Sequence, residues 1–444
     1  MAAGECDSVA SSELNRKLEG YDFYREIMHS PKHIVAPMVD QSELPWRILS
    51  RRYGAQVVYS PMINAKMFVG GNTKYQDENF NLKIGEEGGP TDRPLVVQFC
   101  ANDPDVLLAA AKQVQDQCDA IDINFGCPQD IARRGRYGAF LQDDWDLVYK
   151  LINILHINLK IPVTAKFRVF PTVEKTVEYA KMMESAGAQI LTCHGRLREQ
   201  RGHHSGLADW NKIRAVKEAV KVPVFANGNI LYHEDIDACL EATGCDGVMS
   251  AEGNLYNPAI FSPGATRRHA DLALEYLDIV KALKTPTSYG AIKSHLFKLY
   301  RPALDLNKDL RDRLGKIHGK RGDDTTLQQF IIVATEFKAR MDRDAEASND
   351  DPSMPAPLIP DSDGKQAIPH WRAQPYFRAP PPPPSAKKAA VLSAAPPMSS
   401  VDPNVNAVTT TTKPSQDRKR GLENVLTDDE GEAVKRIKPD PSVA

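Results

Sequence analysis

The sequence predicts an α/β fold: a (β/α)8 barrel followed by a helical region and a proline-rich tail. Three observations carry this reading: eight short β-branched or apolar runs, the amphipathic stretches between them, and polar residues gathered where the runs end. The runs are HIVAPMV (33–39), VVYSPMI (57–63), PLVVQFC (94–100), AIDINFGC (120–127), PVTAKFRV (162–169), AQILTCHG (188–195), PVFANGNI (223–230) and GVMSAEGN (247–254). Their starts lie 24 to 42 residues apart, which leaves room for a crossover helix each time, as parallel strands require. The stretches DPDVLLAAAKQVQDQ, EKTVEYAKMMESAG and DWNKIRAVKEAV space their apolar residues helically, and Gly187 stands where a helix end favours glycine. Eight strand–helix units close into a barrel of the TIM type. The alternative is an open, doubly wound sheet.

The 444 residues then divide into an N-terminal extension (1–32), the barrel (33–267), a helical domain (268–348) and a tail (349–444). The helical domain is read from LALEYLDIVKAL, GAIKSHLFKLYRPAL and TLQQFIIVATEFKARM, whose apolar spacing suits a small bundle. In the tail, 17 of the chain's 32 prolines fall in residues 351–444, a composition that does not sustain a packed core. One patch there, HWRAQPYFR (370–378), carries three aromatics and two arginines. It is expected to dock back on the folded body, with direct stacking on bases as the alternative. The basic clusters Arg418-Lys419-Arg420 and Lys435-Arg436-Ile437-Lys438 are either nuclear-import signals or a solvated charge run. The chain is accordingly placed in the cytoplasm, the nucleus or both.

A net charge of −2 and a pI of 6.6 argue neither for nor against a nucleic-acid partner. The seven cysteines (6, 100, 118, 127, 193, 239, 245) are an odd set without a C-x-x-C pair. That speaks against zinc modules and against a secreted disulfide framework, so no metal is expected. No export signal and no apolar run of about 18 residues is visible, so no membrane partner is expected.

Barrel active sites gather at the C-terminal ends of the strands, and there the chain places Met38, Asp40, Asn64, Gln98, Asn124, Cys127, Lys166, Arg168, His194, Asn227, Gly228 and Glu252. The ends of runs seven and eight, FANGN and MSAEGN, offer small residues and backbone amides suited to a phosphate. Lys166 and Arg168, two residues apart, share one side of their strand. A lysine inside a barrel mouth is costly unless it meets an anion. The flavin of FMN is one such ligand, because its reduced form is negative near N1 and the C2 carbonyl. A structural ion pair and a Schiff-base lysine are the alternatives.

The stretches APMVDQSELPWR (36–47), VVQFCAND (96–103), DINFGCPQDIARRGRYGAFLQDD (122–144), TAKFRVF (164–170), LTCHGRLREQRG (191–202), FANGNI (225–230) and MSAEGNLYNPAIF (249–261) resemble the tRNA-dihydrouridine synthases. The N-x-G-C-P signature with its Arg/Gly-rich loop is the most diagnostic of them. The helical domain is matched more weakly, by SHLFKLYRP (294–302), and the tail after 380 not at all. The resemblance is greatest to the eukaryotic branch acting on positions 16/17 of the tRNA D-loop. It implies a flavoenzyme in which NAD(P)H reduces FMN, hydride passes to C6 of a uridine, and a cysteine protonates C5; the chain is separately expected to be a monomer. Cys127 matches that donor. An unperturbed thiol, with a pKa of about 8.5, is mostly protonated near neutrality yet acidic enough to serve as a general acid.

The same carry-over puts Pro37, Met38 and Val39 along the isoalloxazine edge, with Gln98 and Lys166 hydrogen-bonded to it. It puts His194 at the cofactor, although a satisfied core histidine is the alternative. Asn227, Gly228, Asn229, Ala251 and Glu252 are expected around the phosphate. Bacterial relatives often have Gly-Arg where this chain has Ala251-Glu252, so Arg168 or Arg196 would supply positive charge there. Asn124 is expected at the edge of an extruded uracil. Arg133, Arg134 and Arg136, with Lys293, Lys298 and Arg301 of the helical domain, are expected to face RNA phosphates. Two other functions remain open from residues alone: an FMN oxidoreductase acting on a free pyrimidine, and an inactive RNA-binding barrel.

Overall fold

The computed structural model describes residues 17–376, apart from 72, 203–204, 265–266, 352, 355, 357–358 and 361–365. Cys6, the two basic clusters and the last two residues of the 370–378 patch therefore lie outside the described residues. The described residues within Met1–Gln200 and Gly206–Phe377 form one compact unit. In Arg201–Ser205, assigned to a second unit, the Ser205 N–H donates to the Gly202 carbonyl at 3.2 Å.

Nine strands make one parallel sheet: β1 (His33–Val35), β2 (Val58–Tyr59), β3 (Ile63–Asn64), β4 (Leu95–Cys100), β5 (Ala120–Phe125), β6 (Val163–Arg168), β7 (Leu191–His194), β8 (Val224–Asn227) and β9 (Gly247–Ser250). Their order is β1-β9-β8-β7-β6-β5-β4-β2, with β3 also on β4. A parallel bridge between Ile34 and Val57 joins the two ends, so the sheet closes. The second run of the sequence occupies one barrel position as two pieces, β2 and β3. It breaks at Ser60-Pro61, because a proline has no N–H to continue the ladder. Crossover helices Pro104–Val114, Trp145–Asn158, Val173–Ser185 and Trp210–Ala219 each start on a side-chain cap, from Asp103, Asp144, Thr172 and Asp209. Each cap accepts first-turn N–H groups that would otherwise lack partners.

Alternation along the strands sorts the residues into two faces. Outward residues such as Val97, Ile121, Ala165, Leu191 and Val248 pack against the helices. Inward residues Ile34, Val96, Ala120, Ile190, Phe225 and Met249 build an apolar floor together with Phe23, Tyr24 and Met28. Phe23 and Tyr24 belong to the helix Gly20–Glu26, which caps the N-terminal end of the barrel; the Tyr24 hydroxyl donates to the Asp246 carbonyl, just before β9, at 3.0 Å. With that end sealed, polar chemistry is left to the C-terminal mouth.

A second apolar core lies among the helices His269–Ala282, Tyr289–Leu299, Lys308–Lys316 and Asp324–Ala347. Trp46 and Leu49, on the helix Leu44–Arg52 that follows β1, enter this same core. So do Trp371 and Ala373: His269 N–H donates to the Trp371 carbonyl at 3.1 Å and Ala373 N–H to that of Arg267 at 2.8 Å. Between them Arg372 is fully buried and donates to the Asp350 carboxylate at 2.8 Å. Among the described residues no helix is long and apolar enough to cross a membrane.

Candidate active site at the barrel mouth

Cys127 follows the end of β5, where the strand turns out of its ladder. The turn is made by Asn124, whose Oδ1 accepts the N–H groups of Gly126 at 3.1 Å and Cys127 at 2.8 Å. From the other side, Ala139 N–H donates to the Cys127 carbonyl at 3.0 Å. Gly138, at φ +66°, packs so closely that a Cβ there would lie 2.7 Å from the Cys127 oxygen. The cysteine is thus gripped through its backbone, with a half-buried side chain beside Cys100 and Tyr137. Burial, together with the charge Cys127 would carry, pushes the Cys100 thiol up to about 12. Cys100 therefore stays a thiol at neutral pH.

Lys166 stands opposite Asn124 in the β5–β6 register. Its Nζ donates to Asn227 Oδ1 at 2.9 Å, and Asn227 Nδ2 donates to the Met249 carbonyl at 2.9 Å. Burial and the neighbouring Arg168 lower the lysine to about 8, against the opposing pull of Asp122, Cys193 and Cys127. At pH 7 it remains largely an ammonium whose hydrogen-bonded partner in the mouth is a neutral amide.

Arg168 differs from expectation. Its Nε donates to the Gly126 carbonyl at 2.8 Å, and its Nη1 to the carbonyls of Leu197 at 2.9 Å and Gln200 at 3.0 Å. Rather than turning to a phosphate, this guanidinium ties the Cys127 loop to the loop after β7. Buried backbone oxygens must be paired, and Arg168 is the donor within reach. Burial and Arg196 lower it to about 10, so it stays cationic.

His194 lies opposite both Arg168 and Asn227 in register. Burial and the charges of Arg168, Lys166 and Arg196 hold it well below the usual imidazole range. It is therefore neutral, and its Nε2, 3.2 Å from Arg196 Nη1, accepts from that guanidinium. Arg196 also donates to Asn229 Oδ1 at 2.9 Å. Gly228 sits at φ +116° beneath the imidazole, where a Cβ would come 2.7 Å from Ala208 Cβ and 3.2 Å from His194 Cδ2. Gly228→Ala should cost about 1–3 kcal/mol from backbone strain alone, read as a shift in the urea midpoint.

Of the other expected residues, Pro37 and Met38 are half-buried, while Val39 is 54% exposed. Ser42 holds that loop by bridging Met38 N–H and carbonyl at 3.0 and 3.1 Å. Gln98 is fully buried, with both ends of its amide already bonded, to Asp122 and Asn124. Ala251 precedes the short helix Glu252–Tyr256. Arg133, Arg134 and Arg136 are exposed, on or just after the short helix Asp130–Gly135 next to Cys127.

Of the three part-exposed cations of the helical domain, Lys293 and Lys298 bond within that domain and Arg301 meets the 370–378 patch. Lys293 donates to the Gly315 carbonyl at 2.9 Å, near the end of the helix Lys308–Lys316. Lys298 donates to Ser294 Oγ at 3.1 Å, and Arg301 stacks on Tyr376 at 4.6 Å. Two features escaped the sequence reading. One is Asp122, a carboxylate inside β5 at an inward position, whose only signal was an aspartate in an apolar run. The other is Glu43, which accepts from Tyr276 at 2.7 Å and lies 3.1 Å from His295. Among the described residues no cluster of three or more His, Cys, Asp or Glu could hold a metal ion. A cavity of about 240 Å³ lies among the helices, lined by Leu283, Tyr289, Ile292 and Lys320 and by none of the mouth residues.

A closed parallel barrel sealed below and carrying a cysteine, a lysine and a neutral histidine at its open end defines a (β/α)8-barrel enzyme. Residues 34–318 match the family described as Dihydrouridine synthase (Dus), and the chain belongs to that family. It is 48% identical over 362 residues to the NAD(P)(+) tRNA-dihydrouridine(16/17) synthase-like protein of Rattus norvegicus, covering 82% of this chain and 77% of that one. With the NAD(P)(+) tRNA-dihydrouridine(16/17) synthase of Saccharomyces cerevisiae it shares 46% identity over 381 residues, 84% and 89% of the two chains. The tRNA-dihydrouridine(20a/20b) synthase-like protein of Homo sapiens is less similar, at 36% over 276 residues, 61% and 83%.

Proposed function

We propose that this chain is a flavin-dependent tRNA-dihydrouridine synthase that uses NAD(P)H to reduce uridine to 5,6-dihydrouridine at positions 16/17 of the D-loop. The observation that carries this reading is that Asn124 holds the Cys127 backbone and stands opposite Lys166 in register, in a chain whose 16/17-type relatives match most of its length.

The residues present fit FMN. A half-buried ammonium at the mouth, hydrogen-bonded to a neutral amide, suits an anionic ligand, and the tight approach of Gly228 to His194 brings backbone close by. Lys166 and Gln98 would face the ring, Pro37, Met38 and Val39 its edge, and His194 its neighbourhood. Asn227, Gly228, Asn229, Ala251 and Glu252 would hold the phosphate end. Arg196, beside Asn229, is the better cation there, since Arg168 is spent on backbone carbonyls. When bound, the flavin supplies hydride to C6 of the base.

The chain's own part is the proton. Negative charge accumulating on C5 and O4 is quenched as the Cys127 S–H bond breaks and a C5–H bond forms, leaving a thiolate. Lys166 and Arg168 both feel the charge of Cys127 and stabilise that thiolate. Asn124, which fixes the loop, keeps one amide hydrogen beyond its bond to Gln98 and can offer it to the uracil edge. A uracil in folded tRNA reaches this depth only by leaving its stack.

The exposed Arg133 and Arg134 beside Cys127 suit the RNA backbone. Replacing both with alanine should weaken tRNA binding and flatten its log–log salt dependence by about 1 per lost contact, with kcat at saturating tRNA little changed. Filter binding across a KCl series checks this. The enzyme is taken to act as a monomer, which light scattering tests. It is also taken to reach the nucleus through residues 418–420 and 435–438, which imaging of a fusion lacking both clusters tests. The decisive experiment for the function is mass spectrometry of dihydrouridine at each D-loop position in tRNA from cells lacking the gene. Restoration by this chain at 16 and 17 is expected. Restoration elsewhere, or turnover of free uridine without tRNA, would remove the assignment.

A further inference from the structure

A line of side chains runs from Asn124 and Gln98 down to Asp122 and Thr164, and no ligand contact accounts for the last two. Thr164 Oγ1 donates to Asp122 Oδ1 at 2.6 Å, and Gln98 Nε2 donates to Asp122 Oδ2 at 2.7 Å. Asn124 Nδ2 donates to Gln98 Oε1 at 2.9 Å, and Asn124 Oδ1 accepts the N–H groups of Gly126 and Cys127. All four side chains are buried, Asn124 being the most exposed at 9%. Register puts Asp122 directly opposite Gln98 on one side and Thr164 on the other.

The direction of this line is not interchangeable. Backbone N–H groups only donate, so Asn124 must turn its oxygen to the Cys127 loop and its NH2 to Gln98. Gln98 must then turn its oxygen to Asn124 and its own NH2 to a third group, which has to accept. An ionised carboxylate does nothing else. Reversing any one amide would set donor against donor in a buried place, where an unmade bond costs about 1–3 kcal/mol.

We propose that Asp122 is a positioning residue: as the acceptor at the closed end of this line it fixes the amide of Gln98, through it that of Asn124, and so the backbone that aims Cys127. Burial raises the Asp122 carboxyl to about 6, against the hydrogen bonds of Thr164 and Gln98. The group is therefore ionised, and accepts only, at neutral pH. Its effect on turnover rests on the function proposed above; its effect on the loop does not.

The test compares Asp122→Leu with Asp122→Asn in the purified enzyme. The readouts are the rate at which iodoacetamide alkylates Cys127, followed by peptide mass spectrometry, and kcat and KM for tRNA. Asparagine keeps an oxygen for Gln98 and turns its NH2 to the Thr164 hydroxyl, which can accept, so both readouts should stay within about threefold of wild type. Leucine fills the space but cannot accept. It should raise Cys127 alkylation by about threefold or more and lower kcat about tenfold, with KM for tRNA within about twofold. If the leucine variant does not fold, Gln98→Met cuts the same line, and Cys127 alkylation is expected to rise in it likewise. Wild-type alkylation in the folded leucine or methionine variant overturns the proposal, as does an asparagine variant as impaired as leucine. A wild-type enzyme that makes no dihydrouridine would count against the function reading, while the alkylation contrast would still judge the line.

Discussion

Cys127→Ala should slow uridine reduction by about 10²–10⁴-fold, the usual contribution of a positioned general acid. Oxidation of NAD(P)H by the flavin should proceed as before, because nothing in that half-reaction needs a proton at C5. Cys127→Ser should be nearly as slow, since an alcohol is a far weaker acid than a thiol and gains too little from Lys166 and Arg168 to close the gap. Single-turnover mixing of pre-reduced enzyme with tRNA isolates the step. A serine or alanine variant turning over at the wild-type rate would assign the proton to another group, and Tyr137 or solvent would be examined next. The geometry explains why the loss should fall on kcat: Cys127 is held by Asn124 and Ala139 through its backbone, so its side chain can change without moving the loop.

Asp92→Ala should cost about 3–5 kcal/mol of stability, the typical penalty of stranding one member of a buried ion pair. Arg47 and Asp92 are both fully buried and joined by two bonds, Nε to Oδ1 at 2.9 Å and Nη2 to Oδ2 at 2.6 Å. Asp92 also accepts the Gly88 N–H at 3.0 Å, and Arg47 donates to the Ser42 carbonyl at 2.9 Å. Without Asp92 the guanidinium is left with Glu87, 4.0 Å away. That distant partner does not replace a bidentate one. Urea melts should show the drop, and Arg47→Met in the same chain should recover much of it by removing the stranded charge. A loss under about 1 kcal/mol in the single variant would mean the site admits water.

How much of this was readable beforehand depends on the range of the forces involved. Strand positions were legible because each run is apolar and the stretches between them space their apolar residues helically; the caps Asp103, Asp144, Thr172 and Asp209 are further local signals that the structure brought out. The inward parity of Lys166 and Arg168 was legible too, since alternation is local. What Arg168 holds was not: Gly126, Leu197 and Gln200 reach it only after two loops fold together. Asp122 was overlooked for a related reason. Its partners Gln98 and Thr164 lie on neighbouring strands, and which residue faces which is a property of register that no single strand displays. The partners of the helical-domain cations were not legible either, because Gly315 and Tyr376 come close to Lys293 and Arg301 in space, not in sequence.

The tryptophan at position 46 leaves β1's own layer to stand among the distant helices, stacked on His295 at 3.9 Å while its indole N–H donates to Asn254 beside β9. The two halves therefore share a piece of masonry instead of meeting at a seam. Chimeras that graft a foreign helical half after residue 267 should melt early or fail to express unless the donor's residues around 44–49 travel with it, and the native chain should lose both halves in a single calorimetric transition.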